Sequence, residues 1–197
     1  MADKSLLRKT MRQLRAEKGR PIAAQAARAL VDTACKVNLP GAGGQVIAAY
    51  WPVGDEIDPR PLMQACHAAG HIICLPVTYR ADAALQFRQY APEDALSPDR
   101  AGVQAPLADA PVLRPEIILL PLLAFDADGV RLGQGGGHYD RTLAFLRAQG
   151  PLRAVGLAFD FQQLDKCPRA PHDQVLNDVL TPSRHFACGA NGQASVE

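Results

Sequence analysis

The densest run of chemistry-bearing residues is Arg131-Leu132-Gly133-Gln134-Gly135-Gly136-Gly137-His138-Tyr139-Asp140-Arg141. Glycine fills four of the five positions from 133 to 137, so the backbone is free to turn several N–H groups toward one point. Such a concavity binds anions, and a helix opening just after it adds the positive end of its dipole. Arg131 and Arg141 supply charge at either side, which makes a phosphate the natural guest. The run is not a Walker A loop, because no Lys-Ser/Thr follows the glycines. Nor is it the dinucleotide fingerprint: Gly133 and Gly135 take the first two glycine places, but His138 occupies the third. A flexible surface turn is the competing reading of any glycine cluster. The position of this one, between an apolar strand and a helix, favours phosphate.

Two carboxylates could hold a divalent ion beside that phosphate. Asp140 falls in the first turn of the helix, where it either complements the dipole or reaches magnesium directly or through water. Asp173, after Pro171-His172, is either a turn residue or a second such ligand. A further polar cluster is Tyr50-Trp51-Pro52-Val53-Gly54-Asp55-Glu56-Ile57-Asp58. Trp51 offers a flat face to a ring or packs into the core. Glu56 accepts two hydrogen bonds from an amidine-like edge or is a solvated loop charge. At the N-terminus Lys4, Arg8, Arg12 and Arg15 share one helix face, while Leu7, Met11 and Leu14 share another. That basic face is either solvated or leans one or two cations over a phosphate.

The elements that must position these residues alternate. Pro21 is suited to open a second helix that runs to Val37. Gln45 to Tyr50 reads as a buried strand, Asp58-Pro59 as the cap and first turn of a helix ending before Gly70, and His71 to Val77 as another strand. Leu85 to Tyr90 alternates. Residues 91 to 115 are proline-rich and read as a long loop. Glu116 to Pro121 is apolar throughout, a loop follows to Gly137, a helix runs on to Gln149, and Arg153 to Phe159 is a further strand. The tail beyond Ser183 is expected to be frayed. Strands that are apolar throughout predict a mainly parallel open sheet, covered on both faces. Ligands then bind beyond the carboxyl ends of the strands, where the 52–58 loop and the loop after Pro121 fall.

Bulk properties exclude much else. With 197 residues and 48% hydrophobic content, one domain over 1–197 buries its own core without disulfide or metal staples. A net charge of +1 argues against a nucleic-acid or membrane-surface partner. No apolar run approaches a membrane span, and neither a secretory signal nor a serine-rich transit peptide is expected at the charged start. The five cysteines form no C-x-x-C pair, so a zinc site is not expected and reduced cytosolic thiols are.

Three separated segments together resemble one family. They are Lys4-Ser5-Leu6-Leu7-Arg8, the Tyr50–Asp58 loop, and Leu120-Pro121-Leu122-Leu123-Ala124-Phe125-Asp126 leading into the glycine run. The combined string P-x-x-x-F-D and R-L-G-x-G-x-G-x-Y-D-R is specific, and the likeness extends from about Lys4 to Thr181. The chain is similar to 5-formyltetrahydrofolate cyclo-ligases, also called methenyltetrahydrofolate synthetases. The resemblance implies a three-layer, Rossmann-like α/β/α sandwich. It also implies an ATP- and Mg2+-dependent conversion of 5-formyltetrahydrofolate to 5,10-methenyltetrahydrofolate, with ADP and phosphate as the other products. A cytoplasmic monomer acting only on small molecules is the corresponding expectation. By resemblance Lys4, Ser5, Leu6, Leu7 and Arg8, with Arg131 through Tyr139, contact ATP. Arg131 is the catalytic cation, Asp140 and Asp173 hold the metal, and Trp51 and Glu56 take the folate, Glu56 at the pterin edge. Three departures are visible: His138 where tyrosine is frequent, Gly136 where some members carry lysine, and Asn177 where an acidic residue is common. The first two keep open a folate-binding protein with little turnover. A sugar-phosphate enzyme of similar topology is a third reading, without a catalytic base to name.

Overall fold

The structure, a computed structural model, describes residues 4–188. The chain opens with α1 (Lys4–Leu14), passes through a wide π-turn at Arg15–Gly19 and a tight 3-10 turn at Arg20–Ile22, and continues into α2 (Ala23–Lys36). Pro21 was expected to open the second helix, yet it lies inside the tight turn and α2 begins at Ala23. The physical reason is that proline cannot donate to an i→i−4 ladder, so the helical register changes around it and Ile22, at φ −110 and ψ 4, departs from helical geometry just before α2. Gly19 permits this path, since a Cβ there would come within 3.0 Å of the Phe159 ring.

The remaining elements are β1 (Val46–Ala48), α3 (Arg60–Ala68), β2 (Ile72–Val77), β3 (Gln86–Gln89), β4 (Leu96–Pro98), β5 (Gln104–Pro106), β6 (Val112–Leu113), β7 (Ile117–Pro121), β8 (Ala124–Phe125), β9 (Arg131–Leu132), α4 (His138–Arg147), β10 (Arg153–Leu157), β11 (Asp178–Leu180) and β12 (His185–Ala187). Eight strands form one sheet in the order β12-β11-β10-β7-β1-β2-β3-β6. From β11 to β2 the neighbours are parallel, and β12, β3 and β6 pair antiparallel at the two edges. The mainly parallel open sheet anticipated from the apolar strands is therefore present.

Side chains alternate between two buried faces, as strand geometry requires. Ile47, Ile73, Leu75, Ile117, Leu119 and Val155 pack with Leu30, Ala34, Leu62 and Met63 of α2 and α3. Ala48, Cys74, Ile118, Leu120 and Ala154 pack with Leu143 and Leu146 of α4 on the opposite face. Burying a leucine or isoleucine side chain fully contributes roughly 1.5–3 kcal/mol, so these two layers supply the main folding drive. A third cluster sets Met11 of α1, with Leu7 and Leu14 against it, on Leu123, Ala124, Val130 and Leu132 of the β8–β9 hairpin. It docks the basic helix beside the glycine run.

Four expectations need correction. Residues 91–115 are not a plain loop: β4 and β5 form a separate antiparallel pair, and β6 adds to the sheet edge through β3. The loop after Pro121 contains the β8–β9 hairpin. Of the tail expected to fray, His185–Ala187 is an edge strand on β11, while 189–197 lie outside the described residues. The Asp58-Pro59 helix start is displaced by one residue: α3 begins at Arg60, and Asp58 Oδ1 accepts the Arg60 N–H at 2.9 Å.

Candidate active site

The carboxyl ends of β1, β2 and β7 open into a cleft of about 850 Å³. Tyr50 and Trp51 enter it after β1, Pro76 and Thr78 from β2, and Pro121 from β7. The facing wall is built by α1 and the glycine run, with Ala170, His172 and Asp173 closing one side. The loops expected to hold ligands from strand order alone thus meet where open parallel sheets bind them.

The glycine run turns through Gly135 at φ +107 and Gly137 at φ +68, conformations that favour glycine. Gly137 is the residue before α4, and no side chain caps the helix there. The first-turn N–H groups of α4 therefore face the cleft end without a side-chain acceptor, which is the arrangement that holds an anion. Basic residues of α1 shape the run: Arg8 Nε donates to Gly133 O at 2.9 Å, and Arg12 donates to Gln134 Oε1 at 2.9 Å and Gln134 O at 3.2 Å. Within Lys4–Arg8, Lys4 and Arg8 line the cleft, Leu7 packs into the α1 cluster, and Ser5 and Leu6 are exposed.

The two arginines that bracket the run differ in role. Arg131 lines the cleft with its side chain 4% exposed, pairing through Nη2 with Asp140 Oδ1 at 2.7 Å and through Nη1 with Gln174 O. Arg141, expected to offer charge to a phosphate, instead donates to the carbonyls of Ala81 and Gly136, both at 2.9 Å. It fastens the loop to the 81–83 turn, because a guanidinium fork can satisfy several carbonyls at once.

Asp140 and Asp173 both border the cleft, and the chain links them: Gln174 N–H, next to Asp173, donates to Asp140 Oδ1 at 3.0 Å. Asp173 Oδ2 accepts from Lys4 Nζ at 2.7 Å and from Ala170 N–H at 2.6 Å. Burial pushes the Asp173 carboxyl up, but the Lys4 ammonium and the Ala170 N–H outweigh it and hold the group below the usual carboxylate range. Asp140 keeps Oδ2 without a hydrogen-bond partner among the described residues. These oxygen donors fit magnesium, which takes one or two carboxylates together with phosphate oxygens and water. No cluster of three or more His, Cys, Asp or Glu that could cage a metal occurs among the described residues.

At the opposite end stands Glu56, its side chain 7% exposed. Burial raises its carboxyl above the ordinary range, opposed by the Val53 N–H, Arg15 and Gln134. Oε2 accepts from Val53 N–H at 3.1 Å, and Oε1 lies 3.5 Å from Gln134 Nε2. Trp51 is partly buried against the core and also borders the cleft. It packs on the core edge-to-face with Tyr90 at 6.2 Å under the Arg60 guanidinium at 5.2 Å, and it also lines the cleft. Gln134 touches both Arg12 and Glu56, so the glycine run, α1 and the Glu56 loop share one side chain.

Arg12 and Arg15, which the sequence pattern alone assigned to a solvated face, also line the cleft. Their four, four, three spacing with Lys4 and Arg8 was the available signal. All four line the cleft. His138 and Gly136, two separate departures in sequence, meet in space: a Cβ on Gly136 would come within 2.9 Å of His138 Cδ2. The imidazole thus occupies the room a side chain at 136 would need.

Comparison with known proteins agrees with this geometry. Residues 1–182 match the model of the 5-formyltetrahydrofolate cyclo-ligase family. The chain is 33% identical to 5-formyltetrahydrofolate cyclo-ligase of Escherichia coli K12 over 184 residues, covering 91% of this chain and 98% of that protein. It is 35% identical to the enzyme of that name from Mycolicibacterium smegmatis over 150 residues, covering 72% of this chain and 75% of the other. In fold it is similar to the NMR structure of Aquifex aeolicus 5,10-methenyltetrahydrofolate synthetase, with a TM-score of 0.78 at 24% identity, covering 98% and 96% of the two chains. A match over nearly the whole described chain, on a fold that gathers the matching segments around one cleft, means that this protein belongs to the 5-formyltetrahydrofolate cyclo-ligase family.

Proposed function

We propose that the cleft binds ATP and 5-formyltetrahydrofolate side by side and, with magnesium, yields 5,10-methenyltetrahydrofolate, ADP and phosphate. The observation that carries this reading is the single cleft shared by Lys4, Arg8, the glycine run, Trp51 and Glu56. A formamide carbon is a poor electrophile and its oxygen a poor leaving group. Transfer of the γ-phosphoryl to the formyl oxygen releases ADP and makes an imidate-like phosphate. The folate's own N-10 then attacks the formyl carbon, loses its proton, and phosphate departs with the oxygen. Both reacting groups belong to one substrate, so positioning and charge neutralisation are the main tasks.

In this reading the N–H groups of the glycine run and the start of α4 hold the phosphates, with Lys4 and Arg8 over them. Arg131 acts as the catalytic cation: it fixes the Asp140 carboxylate and brings positive charge beside the transferred group. Asp140 and Asp173 would hold magnesium, which supplies charge stabilisation at the phosphoryl oxygens when bound. Trp51 and Glu56 would hold the pterin. We assign the reaction to a monomer in the cytoplasm, since one chain supplies both ends of the cleft and all five cysteines are free. The test is the absorbance of the methenyl product, which should rise only with ATP, magnesium and 5-formyltetrahydrofolate together. Folded protein that binds the folate but forms no product under those conditions would overturn the reading in favour of a binding protein.

A further inference from the structure

Arg15 begins the wide turn at Arg15–Gly19, immediately after α1. Such turns recur at functional sites because they re-aim one side chain without ending the helix. Here the side chain is aimed into the cleft, 6% exposed, at the end occupied by Glu56. Its Nε has no hydrogen-bond partner among the described residues. Its Nη1 stands 3.9 Å from Glu56 Oε1, beyond hydrogen-bond range. Two buried opposite charges gain most by closing into a forked pair. These do not close, and Glu56 turns instead to the Val53 N–H and Gln134. Burial is the leading influence on both, lowering the Arg15 pKa and raising that of Glu56, so each remains short of compensation. A cation left unsatisfied in a substrate cleft is a donor without its acceptor, and a ligand can supply one.

The chemistry of the pair defines that ligand edge. A carboxylate only accepts and a guanidinium only donates. Side by side, they are complementary to an edge carrying two donors followed by an acceptor. A 2-amino-4-oxo-pteridine presents that order: the 2-amino group, the ring N–H, then the 4-oxo oxygen. We propose that Arg15 is a substrate-binding residue that accepts the pterin by donating to its 4-oxo oxygen, while Glu56 takes the two neighbouring donors. This rests on the assignment of Glu56 to the pterin edge made above. It adds a specificity determinant: an amino group at position 4 would set donor against donor at Arg15, and it would also turn the ring N–H beside it into an acceptor facing Glu56.

The test compares 5-formyltetrahydrofolate with its 4-amino analogue, titrated into the full chain and followed by fluorescence of Trp51, the sole tryptophan. The wild type should prefer the 4-oxo compound by about 30-fold, the scale of a charge-assisted hydrogen bond. Arg15→Met should reduce that preference by at least about threefold, mainly by weakening the 4-oxo compound, with the part due to Glu56 persisting and ATP affinity held within about twofold. Arg15→Lys keeps a charge but loses the fork, and carries the test if the methionine variant does not fold. It should lose at least about two-thirds of the preference. A wild type without preference, a preference unchanged in the folded variants, or equal weakening of both pteridines overturns the role of Arg15 alone. If the wild type binds neither pteridine, the pterin assignment of Glu56 fails and the inference fails with it.

Discussion

Glu56 carries a charge in a place that opposes it. Burial raises its carboxyl above the ordinary 4.5, so its accepting form is held less firmly than that of an exposed glutamate. Substrate affinity should therefore be full above this raised pKa and decline as pH falls through it, at a pH above 4.5. A folate dissociation constant that stays flat down to pH 4.5 would count against the assignment. Glu56→Gln removes the charge at nearly constant shape and should weaken folate binding by about 10- to 100-fold, the range of hydrogen bonds to charged groups. ATP affinity should change by less than about twofold, because the hydrogen bond from the glycine run to this residue, from Gln134, is a long one at 3.5 Å. Gly137 tests the other end. Its φ of +68 costs a side-chain-bearing residue about 1–2 kcal/mol, and a Cβ there would meet Arg141 Nη1 at 2.7 Å. Gly137→Ala should thus raise the ATP KM several-fold while leaving the folate KM in place, as steady-state kinetics can resolve.

Strands and helices differ in how openly their sequence declares them, and the reason is where their hydrogen bonds and charges find partners. β7 is legible because Ile117, Ile118, Leu119 and Leu120 are all buried between helical layers. β11 was missed because it starts with Asp178, a charge in what should be an apolar run. That aspartate is 4% exposed and accepts from Arg153 of β10 at 2.7 and 3.0 Å and lies 2.7 Å from His185 Nε2 of β12. Arg153 lies 25 residues away in sequence and His185 sits across a hairpin turn, so neither pairing is announced by the pattern within the strand. β4, β5 and β6 were missed for another reason: they are two or three residues long, carry Pro98 and Pro106, and lie outside the central layers. In the site, the glycine run was legible because its signal is local. The meeting of Arg15 with Glu56, and of His138 with Gly136, depends on tertiary packing. Asp178 also yields a stability prediction. Burial pushes its carboxyl up, but Arg153 and His185 prevail and hold it below the ordinary 3.8. A depressed carboxyl stabilises fully above its unfolded value and loses that contribution as pH falls through the folded one. Asp178→Asn should therefore cost about 1.5–3 kcal/mol at neutral pH in urea unfolding. The difference from wild type should shrink below pH 3.8. An equal gap at both pH values would contradict this account.

At the scale of the whole molecule, the cleft is a junction between parts of the chain that are distant in sequence. α1 reaches it through apolar docking on the β8–β9 hairpin and through the Lys4–Asp173, Arg8–Gly133 and Arg12–Gln134 contacts. The Glu56 end comes from the loop after β1, which is anchored by the buried Tyr50, whose hydroxyl donates to Ile57 O at 2.6 Å. A nucleotide bridging α1, the glycine run and Asp173 would add ties between elements that otherwise meet mainly at side-chain tips, so ligand binding should register as global stability. At about 100 times its dissociation constant, a ligand that binds only the folded state adds about 2.7 kcal/mol. For a chain of this size that corresponds to a rise in Tm of about 5–10 °C. ATP with magnesium should produce such a rise in the wild type. Arg8→Ala removes a cation of α1 whose Nε holds the Gly133 carbonyl, and it should lose most of the ATP-induced rise at the same ATP concentration. The rise induced by 5-formyltetrahydrofolate should persist in that variant, because Arg8 contacts the glycine run rather than the Glu56 end of the cleft. Retention of the full ATP shift by Arg8→Ala would detach α1 from the nucleotide. Loss of both shifts would mean that the helix supports the cleft as a whole rather than its phosphate end.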